Sequence, residues 1–94
     1  MNKKEAGKIL EVKLDEIKLL GYGKLKEWVV EKNVEVFEIT GPDGVEYQIE
    51  IQAFFDDNIE KDIRVLGSID DGTLPASMFP VSSDFIISEN GEIV

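Results

Sequence analysis

The feature that most constrains this chain is the alternation running from Val45 to Phe55. Val45, Tyr47, Ile49, Ile51, Ala53 and Phe55 are separated by Glu46, Gln48, Glu50, Gln52 and Phe54. Successive side chains of a strand point to opposite faces, so six apolar positions at a period of two give one face to a core and the other to water. Only Phe54 breaks the polar face, at its far end. After the acidic connection Asp56-Asp57-Asn58, the pattern resumes over Asp62–Ile69, with Ile63, Val65 and Ile69 on one face and Arg64, Leu66 and Ser68 on the other. Gly67 falls at a core-facing position, where it allows a bulge or the close approach of a packed helix. The stretch Val45–Gly72 therefore reads as two antiparallel strands closed by a turn at Asp70-Asp71-Gly72.

The segments before this pair read as elements laid against it. Ala6, Ile9, Leu10, Leu14, Ile17 and Leu20 recur at three- and four-residue spacings and predict a helix over residues 3–20. Asn2 is a suitable N-cap, and Gly21 and Gly23 stand where a glycine C-cap belongs. Val12 and Leu19 fall off the main stripe. From Leu25 to Thr40 the composition turns to β-formers: Trp28, Val29, Val30, Val34, Val36, Phe37 and Ile39. Either Leu25–Glu31 and Val34–Thr40 are two strands turning at Lys32-Asn33, or they are one long strand bent there by a bulge, with Asn33 taking the left-handed conformation. Gly41-Pro42-Asp43-Gly44 is a turn.

Beyond Gly72, Pro75 and Pro80 interrupt backbone donation, so Thr73–Val81 reads as an edge strand or an irregular return. Phe85-Ile86-Ile87 then meets Ile93-Val94 across Asn90-Gly91, the pair a type I′ hairpin uses. The sum is a single α+β domain over residues 1–94: an N-terminal helix packed on one face of a four- to six-stranded antiparallel meander. A chain this short buries only about two thirds of its unfolded surface, so its core is modest.

Composition excludes more than it assigns. The chain has no cysteine and no histidine. Disulfides and thiolate chemistry are ruled out, and the side chain used most often for proton transfer near neutral pH is missing. The absence of cysteine fits a cytoplasmic protein. The lysines at the start are followed by no apolar h-region, so no secretory signal is expected, and no apolar run reaches the ~20 residues of a membrane helix. The net charge of −10 is unevenly placed. Residues 1–32 carry eight lysines against six acids, a balance of +2, while residues 33–94 carry Lys61 and Arg64 against fourteen acids, a balance of −12. Such a surface repels phosphates and anionic lipids, so neither nucleic acid nor membrane is expected as a partner, and a basic protein is.

Each motif with a chemical reading also has a plainer one. Counting from Asp56, oxygen donors fall at the first, third, fifth and seventh positions of a calcium loop, but Lys61 and Gly67 stand where that loop needs Gly and Glu, so no metal site is expected. Gly21-Tyr22-Gly23-Lys24 lacks the glycine spacing of a phosphate loop. Glu38, Glu46 and Glu50 share a polar sheet face, where solvation or ion pairing suits them better than acid–base work. Ser68, Ser77, Ser82, Ser83 and Ser88 have no evident base, so no catalytic set and no cofactor are expected. Arg64, the only arginine, is expected to pair across the strands with Glu46 or Glu50. Trp28, Phe54 and Phe79 are candidates for exposed aromatic anchors.

The phrases Tyr47–Phe55 (YQIEIQAFF) and Ile63–Gly72 (IRVLGSIDDG), followed by Phe85-Ile86-Ile87 and Asn90-Gly91, resemble a set of short bacterial proteins of unknown function. The resemblance covers roughly the last sixty residues and implies a small bacterial α+β domain, with no activity or ligand attached. Function is thus expected to rest on surface. The leading expectation is a non-catalytic protein-binding or regulatory module presenting Glu46, Gln48, Glu50, Gln52, Phe54 and Arg64. The alternative is a small-ligand sensor or minor enzyme with a pocket between helix and sheet lined by Arg64, Tyr22 or Tyr47. A monomer and an edge-strand homodimer are both compatible with these patterns.

Overall fold

In a computed structural model, which describes residues 1–57, 59–73 and 80–94, two helices precede a four-stranded antiparallel sheet. The elements are α1 (Lys3–Lys18), α2 (Gly21–Glu31), β1 (Val34–Thr40), β2 (Glu46–Phe55), β3 (Ile63–Asp70) and β4 (Val81–Ile87). The strands lie in sequence order, β1-β2-β3-β4, so the sheet is a meander with β1 and β4 at its edges. Both helices cover the same face, α1 over β3 and β4 and α2 over β2 and β3.

α1 begins as its sequence predicts. Asn2 Oδ1 accepts the Glu5 backbone N–H at 3.0 Å and satisfies one of the donors a helix start leaves free. Ala6, Leu10, Leu14 and Ile17 are buried along one stripe, while Val12, Leu19 and Leu20 are exposed. Leu20 leaves the stripe because α1 ends two residues earlier, at Lys18. Gly67 on β3 is the reason α1 lies so close to the sheet. A Cβ there would stand 2.9 Å from Leu10 Cδ1, 3.0 Å from Ile51 Cδ1 and 3.2 Å from Leu14 Cδ2, closer than packed carbons sit.

The stretch Leu25–Glu31 is not a strand. The chain turns at Gly21, whose φ of 81° is left-handed, and re-enters a helix that buries Leu25 and Trp28 and half-buries Tyr22 and Val29. These positions follow helical spacing, and Lys24 Nζ reaches Glu27 Oε2 one turn on, at 3.5 Å. The glycines therefore do mark the end of α1, but they open a second helix instead of a strand. α2 closes in a Schellman arrangement: the Lys32 N–H donates to the Val29 carbonyl at 3.2 Å and the Asn33 N–H to that of Trp28 at 3.1 Å. The left-handed residue of that cap is Lys32 (φ 54°), not Asn33.

Both hairpin turns share one geometry. At Gly41–Gly44 the Gly44 N–H donates to the Gly41 carbonyl at 3.0 Å and the Gly41 N–H to that of Val45 at 2.7 Å; at Ser88–Gly91 the equivalent distances are both 2.8 Å. Gly44 and Gly91 have φ of 84° and 87°. This is a type I turn closed by a left-handed glycine, in which Glu89 and Asn90 are the central pair. Asn90 does not take the positive φ that a type I′ turn requires, which corrects the turn type read from Asn90-Gly91. The C-terminal return is short, an isolated bridge between Ile87 and Ile93. Residues 74–79, which include Pro75, Ser77 and most of the segment expected as an edge strand or an irregular return, lie outside the described residues.

The core between helices and sheet is apolar throughout its buried residues, with Leu10, Leu14, Leu25, Ile49, Ile51, Ile63, Val65, Ile69 and Ile87 fully enclosed. Full burial of each such side chain contributes about 1.5–3 kcal/mol, the main stabilising term of a domain this small. Tyr47 is the polar exception at its margin. Its hydroxyl donates to Glu5 Oε1 at 3.1 Å and fastens the start of α1 to the start of β2.

Candidate interaction surface

Both helices lie on one face, and among the described residues nothing covers the other face of the sheet. The strand registers arrange it in rows. Thr40 lies beside Glu46; Glu38 beside Gln48 and then Asp70; Val36 beside Glu50, Ser68 and Ser82; Val34 beside Gln52, Leu66 and Asp84; and Phe54 beside Arg64 and Ile86. All six residues expected to form a recognition surface, Glu46, Gln48, Glu50, Gln52, Phe54 and Arg64, lie on this face. β2 carries five of them in a line, because its burial alternates without interruption.

The face has two halves of different chemistry. Nearest the β1–β2 hairpin are Glu38, Glu46, Glu50 and Asp70. At the other end are Val34, Val36, Leu66 and Phe54, exposed by 46%, 49%, 37% and 39%. Sequence reasoning placed Leu66 opposite the core but did not assign Val34 and Val36 to a face. The signal was in β1 itself: in VEVFEIT the helix side takes Glu35, Phe37 and Ile39, so parity sends both valines outward. Phe37 meets the helices through Lys13, whose Nζ stands 4.2 Å above its ring.

Arg64 is the only basic residue within the four strands, and its charge is already engaged. Its Nε donates to Asp56 Oδ1 at 2.7 Å and its Nη1 to Asp84 Oδ2. These partners, Asp56 first, raise the guanidinium above its ordinary value. The expected pairing with Glu46 or Glu50 does not form, because Arg64 stands opposite Phe54, two residues along β2 from Gln52 and four from Glu50. Among the described residues, the acids of the hairpin end consequently have no basic side chain in their own rows of the face, whose one cation, Arg64, lies at the other end. An open cleft of about 380 Å³ sits at that end, lined in part by Glu38, Glu46, Gln48 and Asp71.

Asp71 is held below its ordinary carboxyl value, chiefly by the Thr73 hydroxyl at 2.7 Å and then by the Thr73 backbone N–H. Of the anchor candidates, Phe54 is exposed, Trp28 is buried, with 7% of its surface exposed, and Phe79 lies outside the described residues. Trp28 is buried because α2 is a helix, which turns it toward the core.

Tyr22, Tyr47 and Arg64 do not converge on one pocket. The Tyr22 hydroxyl donates to the Lys61 carbonyl at 2.6 Å, Tyr47 is committed to Glu5, and Arg64 lies on the opposite face of the sheet. Burial raises both phenols above their ordinary value, with Glu89 adding to the effect at Tyr22 and Glu5 at Tyr47. In the Asp56–Asp62 loop, Asp56 serves Arg64 and Asp57 Oδ1 accepts the Lys61 N–H at 3.2 Å. Among the described residues no three carboxylates group as a metal site would need, and no helix is long and apolar enough to cross a membrane. Comparison with family models, curated proteins and solved structures gave no match to this chain.

Proposed function

We propose that this chain is a non-catalytic protein-binding module whose open sheet face recognises a basic partner. One observation carries the reading: Glu38, Glu46, Glu50 and Asp70 line one end of a sheet face that no described residue covers, and the one cation of that face among the described residues, Arg64, is neutralised by Asp56 and Asp84. Uncompensated carboxylates on a flat surface attract cationic side chains from a distance and choose among partners by charge. The neighbouring half, with Val34, Val36, Leu66 and Phe54 exposed, supplies apolar area of the kind that gives such contacts their affinity. A polar end beside an apolar end suits a protein surface better than a small metabolite. In this reading the domain works in the cytoplasm of a bacterium as a regulator, or as an inhibitor or immunity-like protein that masks a basic surface.

Capture from extract of the native cell tests it. Immobilised chain is expected to retain one or more basic proteins at 0.15 M salt and more at lower salt, and the triple variant Glu38→Gln/Glu46→Gln/Glu50→Gln to lose them. Retention of nothing at either salt, or of the same proteins by both forms, contradicts the proposal.

A further inference from the structure

The two edges of the sheet are unequal. At β4 the C-terminal residues fold back on the edge: Ile93 bridges Ile87, and the Val94 N–H donates to the Ile86 carbonyl at 2.8 Å. At β1 nothing among the described residues pairs with the outer side. Natural edge strands are commonly blunted by lysine, proline, a bulge or a covering segment. Val34–Thr40 contains no lysine and no proline, and its register against β2 is unbroken over all seven residues.

The hairpin defines which backbone groups are free. The Gly41 N–H bonds the Val45 carbonyl, so Gly41 faces β2. Antiparallel pairing alternates inward and outward residues. Ile39, Phe37 and Glu35 therefore spend their N–H and C=O on β2, while Thr40, Glu38, Val36 and Val34 direct theirs away from the sheet. These four are also the β1 residues whose side chains lie on the open face. One added strand can thus take backbone hydrogen bonds and read the face at once.

Charge selects the occupant. A second copy of the chain brings another −10 to the edge. In the full-overlap antiparallel register, centred on Phe37, it also sets Glu38 diagonal to its own counterpart, at a distance where like charges repel. An extended segment with basic residues meets the opposite situation. Beside Glu38 and Thr40 it finds Glu38 itself and, one strand further in, Glu46; beside Val34 and Val36 it finds the two valines, with Gln52 and Glu50 one strand further in; on the helix side it finds Glu35 near one end and, at Phe37, the ammonium of Lys13, which disfavours a cation there.

Building on the acidic-face reading above, we propose that the partner binds as an extended strand added antiparallel to β1, with lysine or arginine opposite Glu35, Glu38 and Thr40, apolar residues opposite Val34 and Val36, and a neutral residue opposite Phe37. The partner class is a basic, strand-forming segment of another protein, taken by β-augmentation.

The probe is the peptide Lys-Thr-Lys-Thr-Val-Lys-Val, with each lysine replaced by glutamate in the control, titrated into the full chain at 0.05 and 0.15 M salt. The expected result is saturable binding of the lysine peptide alone, weaker at the higher salt, with slowed exchange of the Val34, Val36, Glu38 and Thr40 amides. Val36→Pro removes one outward N–H without touching a bond to β2, a place where a strand tolerates proline. It is expected to keep the thermal transition and weaken the peptide by at least about tenfold. Should that variant unfold, amide exchange in the unsubstituted chain decides the edge assignment in its place. Binding that protects none of the four amides and survives Val36→Pro overturns the edge assignment and leaves the acidic-face reading standing. No binding at either salt overturns the edge assignment too, and the extract capture then decides the broader reading by itself. Dimerisation that appears at high salt and is lost in Val36→Pro overturns it in favour of a second copy.

Discussion

At the scale of single residues, two of the contacts that join the helical layer to the sheet carry separate predictions. Gly67 lets α1 descend until Leu10 and Leu14 reach the floor beneath them. Gly67→Ala would place its methyl 2.9–3.2 Å from three buried side-chain tips at once, and all three must move together in a filled core. The expected cost is about 1–3 kcal/mol, read as a lower midpoint in thermal or urea unfolding; an unchanged midpoint would show that α1 sits further out. The second contact is the Tyr47–Glu5 bond. Because the folded state raises the Tyr47 phenol above its unfolded value of about 10, it favours the neutral form. The stability tied to this group is complete below the unfolded value and is lost as pH climbs through the folded one. Unfolding midpoints are therefore expected to fall above about pH 10, and Tyr47→Phe to lessen that fall. Tyr22 shifts in the same direction, so the fall should be reduced and not abolished. A Tyr47→Phe profile parallel to the parent would remove Tyr47 from the explanation.

Among the elements, β2 was the most legible from sequence and α2 the least, for opposite reasons. Ile49 and Ile51 alternate with Gln48, Glu50 and Gln52, and the two faces of β2 have different surroundings, so a period of two is the only consistent reading. In α2, Trp28-Val29-Val30 are β-forming types, and their propensity argues for a strand. The tertiary demand overrides it. Leu25 and Trp28 must both reach the core, and a three-residue spacing does this only in a helix. The same boundary hid the left-handed cap: Asn33 is the better left-handed residue by type, yet the Schellman bonds assign that conformation to Lys32. Lys32→Gly is accordingly expected to stabilise the chain by about 0.5–1 kcal/mol, since glycine takes positive φ without a Cβ penalty. Lys32→Val should lower the midpoint instead, and a stabilising valine would contradict the cap. The surface residues on β2 and β3 were legible because parity alone places them. The partners of Arg64 were not, since Asp56 lies in a loop and Asp84 on β4, and no local pattern sets their register.

For the whole molecule, the uneven charge of the sequence becomes an arrangement in space. Seven of the eight lysines of residues 1–32 lie in α1 and α2 and the eighth caps α2, so the helical layer carries nearly all the cations. The four strands carry Arg64 alone among basic residues, and it is spent on Asp56 and Asp84. The helical side of the domain is thus nearly balanced in charge, and the opposite sheet face is acidic and, among the described residues, uncovered. Recognition through the open side predicts that position of charge matters as well as its amount. The direct measurement compares two double reversals with equal change in net charge, Glu46→Lys/Glu50→Lys on the sheet face and Glu27→Lys/Glu31→Lys on α2, in affinity for the basic protein captured from extract. The sheet-face pair is expected to weaken binding by at least about tenfold while the α2 pair stays near the parent; equal losses from both pairs, or a loss confined to α2, would contradict recognition by the open face.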